Sequence, residues 1–302
     1  IMSMKRYRLL LICAAALMVA CSEDPRDFDM GLPAPPAGGE TYDKPTNPLG
    51  SIVVAHRGGA TESGLPDNSI AGLKYALSLK VYAVECDIYA TADNKVIVAH
   101  ATDGCLINGL KPWEHTYAEI CAAGTLSNGE QIPLLEDFLT EVMKAGTSKL
   151  WLDVKNILVE GSSAGYTGFS ARSCQLACKV IEQMKANYFA EFIVTGNKTV
   201  WTLSYSAAQS ADIRAGWMGY VAPSEYLTYI NPWTNIDASN IYFNGVAGSG
   251  QWGIDDYAAA GVAVSVFTID KDADIAYYEK YIDKLYAITT NYPKKLIGTF
   301  KK

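Results

Sequence analysis

Short apolar runs alternate along this chain with longer segments that repeat apolar residues every three or four positions, the signatures of strands and helices in turn. The first run, residues 51–55 (SIVVA), leads into a segment with Ile70, Leu73 and Leu77 on one helical face, which Asp67 or Asn68 can cap. Residues 81–89 (VYAVECDIY) form a second strand, and 95–100 (KVIVAH) a short further run. Residues 101–131 are poor in apolar period and hold one short helix, where Thr116 and Glu119 have capping-box spacing. Leu134, Leu135, Phe138, Leu139, Val142 and Met143 then define an amphipathic helix that stops at Gly146. Residues 149–155 (KLWLDVK) read as a strand. A long helix from about Ser170 has Leu176, Val180, Ile181 and Met184 on its buried side. Strand-like runs follow at 199–204, 216–222, 240–244 and 262–269, with helical segments between them, and 286–293 (YAITTNYP) closes the series.

With 95–99 treated as an excursion, eight strands alternate with helices. Alternation implies parallel pairing, and eight such units imply closure into an α/β TIM (β/α)8 barrel with a short insertion after the second strand. An open doubly wound sheet is the alternative, but no G-x-G-x-x-G follows the first strand. About 250 residues suit one such barrel, which sets the domain at 51–302.

The first 50 residues carry no such pattern. Lys5, Arg6 and Arg8 precede an apolar stretch, residues 9–19, that is too short to span a bilayer comfortably. The sequence Met18-Val19-Ala20-Cys21 resembles a bacterial lipobox, so 1–20 reads as a lipoprotein signal peptide and Cys21 as the lipidated first residue. Ser22-Glu23-Asp24 resembles an acidic surface-export signal. The expected location is therefore the bacterial cell envelope, at the outer membrane or cell surface, held by the lipid alone. Residues 21–50, rich in Pro, Gly and charge, read as a flexible tether.

Charge narrows the partners. The net charge of −7 becomes −10 once the three basic residues of the signal are removed. Such a chain has no general attraction to nucleic acid or anionic lipid, and any phosphate chemistry must rest on local Arg and Lys.

The chemistry concentrates between residues 53 and 100. Glu85 and Asp87 are two apart on a strand and so share a face. Two adjacent inward carboxylates repel unless a cation or a shared proton relieves them, which makes the pair half of a divalent-metal site. Two of the three histidines, His56 and His100, bracket this stretch.

The order His56-Arg57-Gly58, Pro66-Asp67-Asn68-Ser69, Glu85-Cys86-Asp87 and His100-Ala101 resembles the glycerophosphodiester phosphodiesterase family, whose barrels carry these four motifs in this order. The resemblance extends weakly over about residues 51–300. It implies a metal-dependent hydrolysis of a glycerophosphodiester, or a related phospholipid-derived diester, to an alcohol and glycerol phosphate. His56 and His100 would be the acid/base pair, imidazole being suited to either role near neutrality. Glu85, Asp87 and Asp153 would hold the metal, and a set of hard oxygen donors suits Ca²⁺ or Mg²⁺. Arg57 and Lys155 would clamp the substrate phosphate. His115 matches no motif.

The chain also departs from the family pattern. Asp67 stands for Glu, Ala101 for Asp, Phe267 for Trp and Asn291 for Asp. These changes put the usual glycerol diester in doubt and favour, as an alternative, a surface barrel that only binds phosphorylated ligands. A two-carboxylate glycosidase would not account for Arg57 and Lys155. After signal removal five cysteines remain besides the lipidated Cys21. Cys105 and Cys121 could close the insertion, and no spacing suits zinc.

Overall fold

The computed structural model describes residues 44–157, 167–195, 197–241, 246 and 248–302. Eight parallel strands close into a barrel: β1 (Val53–Ala55), β2 (Ala83–Ala90), β4 (Lys149–Val154), β5 (Ala190–Thr195), β6 (Arg214–Met218), β7 (Trp233–Asp237), β8 (Ala263–Phe267) and β9 (Leu285–Thr290). Closure is explicit, because β1 pairs in parallel with both β2 and β9. The expected excursion is β3 (Val96–Val98), an antiparallel ribbon on the outer end of β2.

Around the barrel stand α1 (Ala60–Ser63), α2 (Ile70–Ser78), α4 (Leu135–Ala145), α5 (Thr167–Gln183), α6 (Lys198–Ser210), α7 (Ala238–Ile241), α8 (Ile254–Ala259), α9 (Asp272–Tyr278) and α10 (Pro293–Leu296), while α3 (Tyr117–Ala123) belongs to the insertion. Where the apolar repeats are long, the helices follow them. Leu135, Phe138, Leu139 and Val142 are buried, and Gly146 ends α4 in a left-handed conformation. The capping box of Thr116 and Glu119 opens α3 as expected.

One expected strand is a helix, and another begins in one. Residues 199–204 lie inside α6, whose Asn197 cap accepts from the Thr199 and Val200 amides at 2.9 and 3.1 Å. Asn240 and Ile241 end α7, and 242–245 fall outside the described residues. The barrel uses β5 and β7 instead. A short apolar run cannot by itself be told from a buried helical turn, and the Asn cap decides for helix at 198.

The cap of α2 is also displaced. Ser69 accepts from Gly72 N at 2.9 Å, and the Glu130 carboxylate takes the Ile70 and Ala71 amides. Asp67 and Asn68 are thereby free to turn toward the barrel.

Inside the barrel, Val54, Ala83, Trp151, Ile193, Trp233 and Ala287 fill the middle layer. Below them Glu191, only 2% exposed, accepts from Lys149, Trp151 and Tyr286 at 2.6, 2.8 and 2.7 Å. These bonds tie strands together at the end where they begin. A cavity of about 550 Å³ opens at that same end, beside Lys149, Glu191, Arg214 and Tyr286.

Within the stretch read as a tether, the Thr46 and Asn47 amides donate to Gly146 and Thr147 carbonyls at 3.0 Å, and Lys302 N donates to Gly50 O at 2.8 Å. Residues 1–43, and with them the signal peptide and Cys21, lie outside the described residues. Among the described residues no helix is long and apolar enough to cross a membrane. All five described cysteines are free thiols, Cys105 and Cys121 included.

Candidate active site

The opposite end of the barrel, where the strands finish, gathers the polar residues. β1 runs out at Ala55 into a turn in which Arg57, Gly58 and Gly59 all take left-handed angles, φ 48°, 83° and 70°. Gly58 has no alternative, since a Cβ there would lie 2.9 Å from the Gly72 backbone. For Arg57 such a conformation is costly, on the order of 1–3 kcal/mol. It directs the Arg57 amide at Glu85 Oε2, 2.9 Å away. The neighbouring ladder does the rest. β2 and β4 run in parallel register with Asp87 beside Asp153, so both carboxylates enter the barrel mouth at one level.

Glu85, Asp87 and Asp153 are all buried, and their ligand oxygens lie within 4.8 Å of one another. Lys155 places its Nζ 2.5 Å from both Asp87 Oδ1 and Asp153 Oδ2. Arg57 Nε lies 3.3 Å from Asp87 Oδ2, while its Nη1 donates to Asp67 Oδ2 at 3.0 Å. The structure thus brings together Arg57, Glu85, Asp87, Asp153 and Lys155, which the sequence placed on separate segments.

Three acids face two bases here, and the balance is uneven. Burial, and then the Asp87 charge, push the Glu85 carboxyl well above the usual range against the pull of Lys155. Burial would raise Asp87 too, but Lys155 and Arg57 outweigh it and hold Asp87 below its ordinary value. Burial opposes the charge on Lys155, yet Asp153, Asp87 and Glu85 together push its pKa upward.

This donor set fits a divalent cation. The ligands are all oxygen, as Ca²⁺ and Mg²⁺ require. Asp87 Oδ1 is buried and, despite its ion pair, receives no well-directed hydrogen bond, so it has a coordination site to offer. A further positive charge is also what would keep Glu85 ionised.

His56 lies beside the cluster, its Nε2 3.8 Å from Glu85 Oε2 and its Nδ1 2.7 Å from Asn291 Oδ1. An amide oxygen only accepts, so Nδ1 carries the hydrogen and Nε2 keeps its lone pair. Burial lowers the His56 pKa, offset in part by the Asn291 hydrogen bond. His100 follows β3, an antiparallel strand outside the barrel, and its segment is held over the site by the Ala99 amide donating to Asp87 O at 3.0 Å. Its ring is more exposed than that of His56. Its pKa is lowered by burial, with the Asp87 charge opposing. His115 is half-buried in the insertion, its Nδ1 3.1 Å from Lys111 O.

Three contributors escape a reading of the sequence alone. Asn68, 1% exposed and left-handed at φ 58°, donates to Asp87 Oδ2 at 2.8 Å and accepts from Asp87 N at 3.0 Å. Its place in the Pro-Asp-Asn-Ser motif is the available signal. Thr195 donates to Asp153 Oδ1 at 2.8 Å. Asn291, in the sequence only a departure from the family pattern, is the direct partner of His56.

The model of the glycerophosphoryl diester phosphodiesterase family matches residues 56–159, the stretch that holds His56, Arg57, Glu85, Asp87, His100, Asp153 and Lys155. No curated protein matches this chain. Among solved structures, a glycerophosphodiester phosphodiesterase from Parabacteroides distasonis is 23% identical with a TM-score of 0.65, covering 81% of this chain and 94% of that one. A phosphodiesterase from Oleispira antarctica, solved with the product sn-glycerol-3-phosphate, is 20% identical with a TM-score of 0.59, covering 83% and 96%. A glycerophosphodiester phosphodiesterase from Agrobacterium tumefaciens is 16% identical with a TM-score of 0.55, covering 80% and 95%. At these identities the structures share the barrel fold, while the family match falls on the stretch that holds the clustered residues. Residues 56–159 of this chain are therefore similar to the glycerophosphoryl diester phosphodiesterase family, and its described barrel has the fold of solved structures that carry that name.

Proposed function

We propose that this site hydrolyses a glycerophosphodiester, or a related phospholipid-derived diester, to an alcohol and glycerol phosphate. The observation that carries the reading is the convergence of Glu85, Asp87 and Asp153 within 4.8 Å of one another, beside the Arg57 guanidinium, the Lys155 ammonium and His56. The product named for the Oleispira structure, glycerol phosphate, accords with it.

Glu85, Asp87 and Asp153 would hold Ca²⁺ or Mg²⁺, which when bound supplies Lewis-acid stabilisation of charge on the phosphoryl oxygens. Arg57 adds a planar donor fork and Lys155 a point charge for the same oxygens. Such preorganised charge is commonly the largest catalytic contribution. His56, with its hydrogen fixed on Nδ1 by Asn291, offers the Nε2 lone pair as base to the attacking water or glycerol hydroxyl. His100, at the more open rim, would protonate the leaving alkoxide. The protein would act at the cell envelope, held through lipid on Cys21, with small-molecule diesters as its substrates.

Purified protein offered glycerophosphocholine, glycerophosphoethanolamine and glycerophosphoinositol with Ca²⁺ or Mg²⁺ should release glycerol phosphate from at least one. Binding of these diesters without turnover would replace the hydrolase by a barrel that only captures phosphorylated ligands, the alternative that Ala101 and the other departures favour.

A further inference from the structure

Asn291 is held from behind. Its side-chain Nδ2 donates to Asp270 Oδ2 at 2.7 Å, and its backbone amide donates to Asp270 Oδ1 at 2.9 Å. Thr290 Oγ1 donates to the same Oδ1 at 2.9 Å. Asp270 lies three residues beyond the end of β8, and Asn291 one residue beyond β9, so the contact joins two adjacent strand ends at the mouth of the barrel. Nothing in the motifs around His56 points to Asp270.

An Asn amide can be turned by 180° with little change of shape, exchanging its oxygen and nitrogen. In one orientation Asn291 accepts from His56 Nδ1–H. In the other its NH2 would face His56, driving the ring hydrogen onto Nε2 and removing the lone pair on the side of the site. Asp270 decides between them. As a carboxylate it only accepts, so the flipped amide would set oxygen against oxygen at hydrogen-bonding distance. Only the orientation with nitrogen toward Asp270 and oxygen toward His56 satisfies every group in the chain of contacts.

We infer that Asp270 is a positioning residue: it fixes the Asn291 amide and, through it, holds His56 in the tautomer with hydrogen on Nδ1 and a free Nε2. The inference rests on the reading of His56 as base, but the tautomer itself can be observed whether or not turnover is. A neutral amide placed between a carboxylate and an imidazole transmits orientation without placing a full negative charge on the ring. This gives the departure at Asn291 a definite role.

The test compares wild type, Asp270→Asn and the reciprocal exchange Asp270→Asn/Asn291→Asp, by nitrogen chemical shifts of the imidazoles in ¹⁵N-histidine-labelled protein and by steady-state kinetics. Three histidines in the chain make the assignment tractable, with His100→Ala and His115→Ala removing one signal each. Wild type should show His56 as the Nδ1–H tautomer. Asp270→Asn keeps shape but frees the amide to flip, so the His56 signals should shift toward Nε2–H. kcat should fall by about 10- to 100-fold, part of a full acid–base contribution, with KM within about twofold. The exchange variant restores one carboxylate and one amide in reversed order, with the new carboxylate accepting directly from His56. It should recover the Nδ1–H tautomer and most of kcat. Retention of the Nδ1–H tautomer in Asp270→Asn overturns the inference, whatever happens to activity. So does an exchange variant that folds and leaves the tautomer unrestored. Should wild type turn over no diester, the chemical shifts still decide the matter, while the hydrolase reading fails separately.

Discussion

Asp87 and Asp153 stand side by side in the parallel ladder of two neighbouring strands, and the Lys155 ammonium lies 2.5 Å from an oxygen of each. A pair of acids in that register is tolerable in a buried barrel mouth only with a cation between them or a shared proton. The lysine meets that need in part. Burial, and then the Asp87 charge, push the Glu85 carboxyl upward, so a further cation beside it would favour its charged form.

Added Ca²⁺ or Mg²⁺ should therefore stabilise the fold as well as support turnover. A ligand present at a hundred times its Kd and bound by the native state alone contributes about 2.7 kcal/mol. Thermal unfolding with EDTA and with each cation should show a rise in Tm on metal addition, and EDTA should abolish activity reversibly. Asp153→Asn should weaken both responses. A Tm indifferent to either cation would remove the metal site.

His56→Ala and His100→Ala should each lower kcat by about 10²- to 10⁴-fold, the usual range for general acid–base groups. The double variant should fall short of the product of the two losses, because groups acting as one unit are not additive. Substrate affinity should hold better than turnover, since Arg57 and Lys155 remain. His115→Ala, in the insertion and outside the motifs, should match wild type. Full activity in His100→Ala would mean that the proton for the leaving group comes from elsewhere.

Asn68→Ala should destabilise the protein by about 1–3 kcal/mol, because it strips two hydrogen bonds from a buried carboxylate residue and leaves its backbone amide unpaired. Urea unfolding measures this directly. Turnover should fall as well, since Asp87 loses the contact that aims its Oδ2. A variant with unchanged midpoint and unchanged kcat would show that Asn68 serves neither purpose.

Cys21→Ala should move the protein from the membrane fraction to the soluble one, because a single residue would carry the whole lipid anchor. Fractionation followed by immunoblotting checks it. Persistence in the membrane fraction would point to a different means of attachment.

Much of this protein is written in local sequence. Alternating strand and helix patterns announce the barrel, because each unit must bury one face against the next and eight right-handed parallel units close. Ordered motifs place His56, Arg57, Glu85 and Asp87, because residues on the barrel strands and at their ends arrive at its mouth wherever they lie along the chain, while His100 follows β3 outside the barrel. The short run at 199–204 misleads, since so few residues carry no period long enough to separate strand from helix, and the Asn197 cap settles it. Only the tertiary structure could pair Asp87 with Asp153, which depends on strand register. Only the fold could free Asn68 from helix capping to hold Asp87, with Ser69 and Glu130 taking the cap instead. The chain Asp270–Asn291–His56 joins residues 235 positions apart. Its chemistry is one of orientation, and orientation arises where strand ends meet in space.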